Sequence, residues 1–291
     1  MAATRKERTD QDRAGLEHNK TTVWYLDREL ERMQPPNAQI SPIPPITLVG
    51  AGRVGGSIHR ALLAAGADAR LLDRDGIADG CGDAEVVLFC VPDGEIESAC
   101  RGAVATAPRL RFAGHTSGSR SLAALDAAAE AGADCFSLHP LQTVPDDATD
   151  LTGAPAGIAG TTAEAIVLAH AIADRCQMVP FDVPEESRAA YHAAAAVASN
   201  FLVALETSAE ELLEAAGVGD ARELLAPLVL RSAANWAERG EAALTGPIAR
   251  GDEATVTAHL EAIAATAPQL LPLYEVLAER TREIAASRER R

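Results

Sequence analysis

From Ile46 onward, short apolar runs alternate with stretches whose apolar residues recur every three or four positions. The pattern predicts strands at 46–50, 69–73, 85–91, 110–114, 134–138, 156–159 and 177–182, and helices near 53–65, 94–101, 119–131 and 161–175. Alternation of this kind implies an α/β fold: a doubly wound parallel sheet with helices on both faces. After Pro184 the short runs stop. Only helical periodicity follows, at about 185–216, 219–238, 252–265 and 268–287. A domain boundary is therefore expected near 183, giving an α/β domain at 46–183 and an all-helical domain at 184–291. Residues 1–45 form an extension. Its first twenty positions are charged and expected to be disordered. A short helix is predicted at 21–33, and Pro35, Pro36, Pro42, Pro44 and Pro45 make a stiff linker.

The first strand runs into Gly50-Ala51-Gly52-Arg53-Val54-Gly55. Gly50 permits a tight turn and Gly52 lets the backbone approach a pyrophosphate. Gly55 lets the helix pack closely on the strand, so the free N–H groups of Gly52, Arg53 and Val54 can face phosphate oxygens. The second strand ends in Asp73-Arg74. An acid there suits the ribose hydroxyl of NAD and an arginine the 2′-phosphate of NADP, so the cofactor reads as either.

Ligands of such sheets sit beyond the carboxyl ends of the strands, which directs attention to the residues that follow each one. Val91 and Pro92 follow the third strand and would run under the nicotinamide ribose. His115, Thr116 and Ser117 follow the fourth, and His139 and Gln142 the fifth. Hydroxyl groups, imidazoles and glycine together can converge donors on a carbonyl or carboxylate. In the long helix His192, Ala196, Ser199 and Asn200 share one stripe. His192 is placed to donate a proton near neutral pH and Asn200 to orient a carbonyl. Between two later helices, Arg250 suits either a carboxylate or a subunit interface.

Composition narrows the partners. The formal charge of −16, from 26 basic and 42 acidic side chains, disfavours nucleic acid and anionic membrane. Aromatic residues are only 3%, so the core must be built from Ala, Leu and Val. The five cysteines lack CxxC spacing, which argues against a metal site or a disulfide framework and for a reducing compartment such as the cytoplasm. No stretch near the first residues reads as a signal peptide. The apolar helices at 185–238 are expected to pair in a homodimer.

Five segments carry a family resemblance: Gly50 to Gly55, His115-Thr116-Ser117-Gly118, Ser137-Leu138-His139-Pro140-Leu141-Gln142-Thr143, Tyr191-His192 through Ser199-Asn200, and Leu244 through Asp252. Together they resemble the Rossmann-like proteins with a C-terminal domain of unknown function (the DUF2520 family). That family is related to F420-dependent NADP oxidoreductases, pyrroline-5-carboxylate reductases and 6-phosphogluconate dehydrogenase-like proteins. The resemblance implies a nicotinamide-binding domain followed by a 6-phosphogluconate dehydrogenase-like helical domain that commonly dimerises. It also implies a reductase for a small carbonyl or imine, with 2-dehydropantoate as one candidate. The β-hydroxyacid dehydrogenases of the wider group carry a lysine four residues before the catalytic asparagine. Here that position is Ala196, so the proton must come from His192, His115 or His139, or else nucleotide is bound without turnover.

Overall fold

The structure, a computed structural model, describes residues 43–73 and 80–290. The helix expected at 21–33 and Arg74 lie outside the described residues. One compact unit ends at Ala195 and a second begins at Ala196.

The first unit holds a seven-stranded sheet: β1 (Ile46–Val49), β2 (Ala69–Leu72), β3 (Val86–Phe89), β4 (Phe112–His115), β5 (Asp134–Pro140), β6 (Pro155–Gly160) and β7 (Val179–Asp182). Their spatial order is β2-β1-β3-β4-β5-β6-β7. Chain order therefore reverses between β1 and β3, which opens a crevice at their carboxyl ends. The helices of this unit are α1 (Arg53–Ala64), α2 (Ile96–Thr106), α3 (Asp126–Glu130) and α4 (Ala163–Arg175), with α5 (Arg188–Ala198) leading out of it.

Two apolar layers sandwich the sheet, because alternate residues of each strand face opposite sides. Leu48, Leu88, Phe136 and Ile158 pack with Ile58 and Leu62 of α1 and with Leu168 and Ile172 of α4. Val49, Val87, Phe89, Ala113 and Cys135 pack with Ile96 and Cys100 of α2 and with Ala128 of α3. Gly114 is needed beneath this packing: a Cβ there would lie 2.4 Å from the Phe136 ring.

Two expectations are corrected. The sheet is not wholly parallel, since β6 runs antiparallel to β5. A parallel return needs a crossover, usually helical, and residues 141–154 supply only a loop. That loop packs over α1, where Ser57 Oγ donates to the Asp146 carbonyl at 3.3 Å. The long helix expected at 185–216 is also broken: α5 ends at Ala198 and α6 (Asn200–Ala215) begins after Ser199. Ser199 Oγ donates to Asn200 Oδ1 at 2.8 Å, a local side-chain bond that gives the backbone an alternative to continuous helix.

The second unit continues with α7 (Ala221–Arg239), α8 (Glu253–Thr266) and α9 (Leu271–Glu289), all close to their predicted positions. Among the described residues, no helix is long and apolar enough to cross a membrane.

Candidate active site

The glycine turn folds as its spacing requires. Gly50 has φ +111°, and a Cβ there would lie 2.6 Å from the Cys90 carbonyl oxygen. A Cβ on Gly55 would lie 2.0 Å from the Gly50 carbonyl oxygen, so only glycine lets α1 approach β1. Gly52 is the N-cap of α1, and among the described residues nothing beyond its chain neighbours lies within 4 Å of where its Cβ would be. The first turn of α1 contains no acidic residue. Its leading N–H groups have no intrahelical acceptor, and the dipole favours an anion at that end. These residues fit the pyrophosphate of a dinucleotide. Arg53 is exposed and Val54 half-buried at the same turn, while Asp73, Val91 and Pro92 follow β2 and β3.

A polar cluster occupies the carboxyl ends of β4 and β5. His115, Ser137 and His139 alternate onto the sheet face that carries Phe89 and Cys135. Across from His139 in the β5–β6 register is Gly157, which leaves room for Tyr191 of α5: a Cβ on Gly157 would lie 2.8 Å from the phenol oxygen. Tyr191 Oη and His139 Nδ1 are 2.7 Å apart, with the rings edge to face. The His192 ring lies 6.2 Å from that of His139. Gly118 clears space for both, since its Cβ would meet His139 Nε2 at 2.7 Å and His192 Cδ2 at 2.9 Å.

Beneath these rings lies one buried charge. Arg188 is 2% exposed and donates from all three nitrogens: Nε to Glu185 Oε2 at 3.1 Å, one terminal nitrogen to the Ser117 carbonyl at 3.3 Å and the other to Ser137 Oγ. Glu185 Oε1 in turn accepts from the Leu122 amide. The guanidinium thus ties the start of α5 to the ends of two strands.

Burial and the Arg188 charge hold His115 well below the usual imidazole range, at about 4. Burial, then His192, then Arg188 do the same for His139, also to about 4. Burial pushes the Tyr191 phenol up to about 12. Both imidazoles are therefore neutral and the phenol protonated at pH 7, so the Tyr191–His139 bond joins two uncharged groups. His115 is wholly buried, and neither ring nitrogen has a hydrogen-bond partner among the described residues.

Residues 154–281 match the family model described as "Domain of unknown function (DUF2520)". The DUF2520 match takes in β6, α5 and the helices as far as Thr281, and therefore Gly157, Arg188, Tyr191 and His192. No curated protein sequence matches the chain. Two solved structures share the fold at a TM-score of 0.68. One is BF3122 from Bacteroides fragilis, ascribed to the NADP oxidoreductases, at 23% identity over 83% of this chain and 98% of its own. The other is TM1727 from Thermotoga maritima, at 24% identity over 84% and 100%. The NADPH-bound reductive aminase of Aspergillus terreus shares it more distantly, at TM-score 0.58 and 18% identity, over 84% and 98%.

The remaining sequence candidates sit as follows. Ser117 is buried, and its Oγ accepts from the Ser119 and Arg120 amides at 3.2 and 3.0 Å, which shapes the turn after β4. Thr116 Oγ1 reaches back to the Phe89 carbonyl at 3.5 Å. Gln142 donates to the Asp150 carbonyl at 2.9 Å and holds the β5–β6 loop. The stripe drawn through His192, Ser199 and Asn200 is interrupted: His192 belongs to the first unit, and Ser199 and Asn200 to the second, after the helix break. Arg250 is exposed in the second unit.

Sequence reasoning passed over Tyr191 and Arg188 as site residues. Tyr191 was legible as the neighbour of His192. Arg188 had no signal, because nothing in the sequence distinguishes a buried arginine from a surface one.

Proposed function

We propose that this protein is an NADP- or NAD-dependent oxidoreductase that reduces a small carbonyl substrate. The observation that supports this most is the space that the described residues leave open over Gly52, at the acid-free start of α1 with no side-chain cap, at the point where strand order reverses. Gly52, Arg53 and Val54 would hold the pyrophosphate, and Asp73 is placed after β2 for the adenosine ribose. When bound, the reduced nicotinamide supplies a hydride.

The chain's own residues then manage the oxygen that becomes negative. His192, exposed beside His139, supplies the proton in this reading. His139, pinned by Tyr191, stays neutral and keeps the His192 side free of a second positive charge. Arg188 holds the start of α5 and so sets where both rings stand. A 2-oxo acid such as 2-dehydropantoate is the substrate class carried over from the family resemblance. The NADPH-bound reductive aminase among the solved structures gives imine reduction, of the pyrroline-5-carboxylate type, a place in the same assay. Following NADPH and NADH absorbance with ketopantoate, other oxo acids and pyrroline-5-carboxylate tests the reading. Turnover of a carbonyl substrate is expected, and full activity in His192→Ala would remove His192 from it. Nucleotide binding with no turnover on the whole panel would favour the silent-sensor alternative that Ala196 suggests.

We also propose that two copies associate through the helical unit, in a reducing, cytoplasmic setting that suits five free cysteines. Phe201, Leu228 and Trp236 are 62, 63 and 68% exposed, and α6 has no buried residue. Such apolar exposure is unusual on a lone surface. Light scattering at micromolar concentration is expected to give twice the chain mass, and a monomer would contradict the pairing.

A further inference from the structure

The helical unit contains a hollow of about 470 Å³ between the segment 244–250 and the last turns of α9. Two arginines line it, Arg250 and Arg288, together with Thr245 and Gly246. Its walls also include Leu244 and Ala249. Four of the eight described arginines of this unit meet a carboxylate, among them Arg222 with Glu210 at 2.7 Å, Arg280 with Glu283 at 2.7 Å and Arg282 with Glu253 at 3.1 Å. Arg250 and Arg288 meet none within 4.0 Å among the described residues.

Two guanidiniums around one hollow repel each other unless an anion sits between them. Arg288 is held in place by donating to the Leu244 carbonyl at 3.1 Å, which leaves most of its donors available. Asp252, the acid nearest Arg250 along the chain, feels the Arg250 charge, but its oxygens are engaged as the N-cap of α8, accepting from the Thr255 amide at 3.1 Å and hydroxyl at 2.7 Å. Gly246 (φ +97°) and Gly251 (φ +71°) give the segment its turns, and Ile248–Arg250 form one short helical turn that carries Arg250. The guanidinium fork matches the two oxygens of a carboxylate, and the Leu244 and Ala249 walls match a short carbon chain.

We propose that this hollow binds a small organic carboxylate, with Arg250 and Arg288 as its two cationic contacts. The site stands on the helical unit alone. Only its identification as the place where a 2-oxo acid substrate is held rests on the reductase reading.

The test is calorimetric titration of the full-length protein with isovalerate, its neutral amide isovaleramide, and inorganic phosphate, followed by NADPH and NADH on the same samples. Isovalerate is expected to bind more tightly than phosphate, and isovaleramide not at all. Arg250→Gln and Arg288→Gln are each expected to weaken isovalerate about tenfold or more, and Arg231→Gln, with the same change in net charge, to leave it unchanged. Where Arg250→Gln fails to fold by circular dichroism, Arg250→Lys keeps the charge, loses the fork and is expected to weaken binding severalfold. No isovalerate binding, equal binding of phosphate, or insensitivity to either arginine overturns the proposal. Absence of isovalerate binding with NADPH bound leaves the reductase reading standing, and isovalerate binding with neither NADPH nor NADH bound removes that reading and keeps the carboxylate site.

Discussion

Tyr191 Oη and His139 Nδ1 stand 2.7 Å apart, with Gly157 on one side and Gly118 on the other leaving the space for it. Neither residue does this alone: the phenol comes from α5, the imidazole from β5, and each glycine from a different strand or turn. Removing the hydroxyl in Tyr191→Phe frees the imidazole to turn while keeping the ring's packing. Turnover is expected to fall about tenfold to a hundredfold with nucleotide affinity unchanged, since orientation of an acid–base pair is lost and the cradle is not touched. Steady-state kinetics beside a nucleotide titration checks this. Equal turnover would reduce the pair to a structural pin.

The last two glycines of the turn should fail differently. Gly55→Ala places a Cβ 2.0 Å from a carbonyl oxygen, so the first strand and helix must part. A loss of about 1–3 kcal/mol of stability is expected from the denaturant midpoint. Gly52→Asp meets open space and adds a negative charge where a phosphate would sit. It is expected to keep the wild-type midpoint and lose nucleotide binding.

Acid should weaken the protein in a defined window. An unfolded histidine takes up its proton near pH 6.5, whereas folded His115 and His139 resist until about pH 4. Between those values the unfolded chain binds more protons, so stability is complete above about pH 6.5 and is lost as the pH falls toward 4. One fully buried histidine contributes up to about 3 kcal/mol to that loss. His115→Leu also removes two buried, unpartnered nitrogens. It is therefore expected to lose less stability than the wild type between pH 7 and pH 4.5, measured by urea unfolding. An unchanged slope would contradict the burial argument.

Arg188 carries the opposite prediction. It is 2% exposed and bonded to Glu185, Ser117 and Ser137. Arg188→Met leaves the Ser137 hydroxyl and a half-buried Glu185 carboxylate without their cation, at a cost of about 3 kcal/mol. It also relieves the repulsion on both histidines, whose pKa values should rise in NMR titrations. A stable variant with unmoved histidines would show that the charge is screened.

Much of the fold was legible because its signals are local. The Gly50–Gly55 turn, the strand runs and the change to helix after β7 each follow from a few neighbouring residues. The antiparallel β6 was not legible, because its direction depends on what a loop of fourteen residues omits, a crossover helix. The break at Ser199 was hidden for a different reason: seven alanines between 189 and 198 give strong helical propensity, and one serine bonding to its neighbour overrides it. In the site, His139 and His192 could be picked out by residue type. The Arg188 hub and the pairing of Arg250 with Arg288 depend on distant segments meeting, which no local pattern records.

The central claim is that the start of α1 holds a pyridine nucleotide. Calorimetric titration of NADPH and NADH into the wild type and Gly52→Asp tests it most directly. Saturable heat is expected from at least one nucleotide in the wild type and none in a folded Gly52→Asp. No heat from either nucleotide in the wild type, or unchanged binding in the variant, would contradict it.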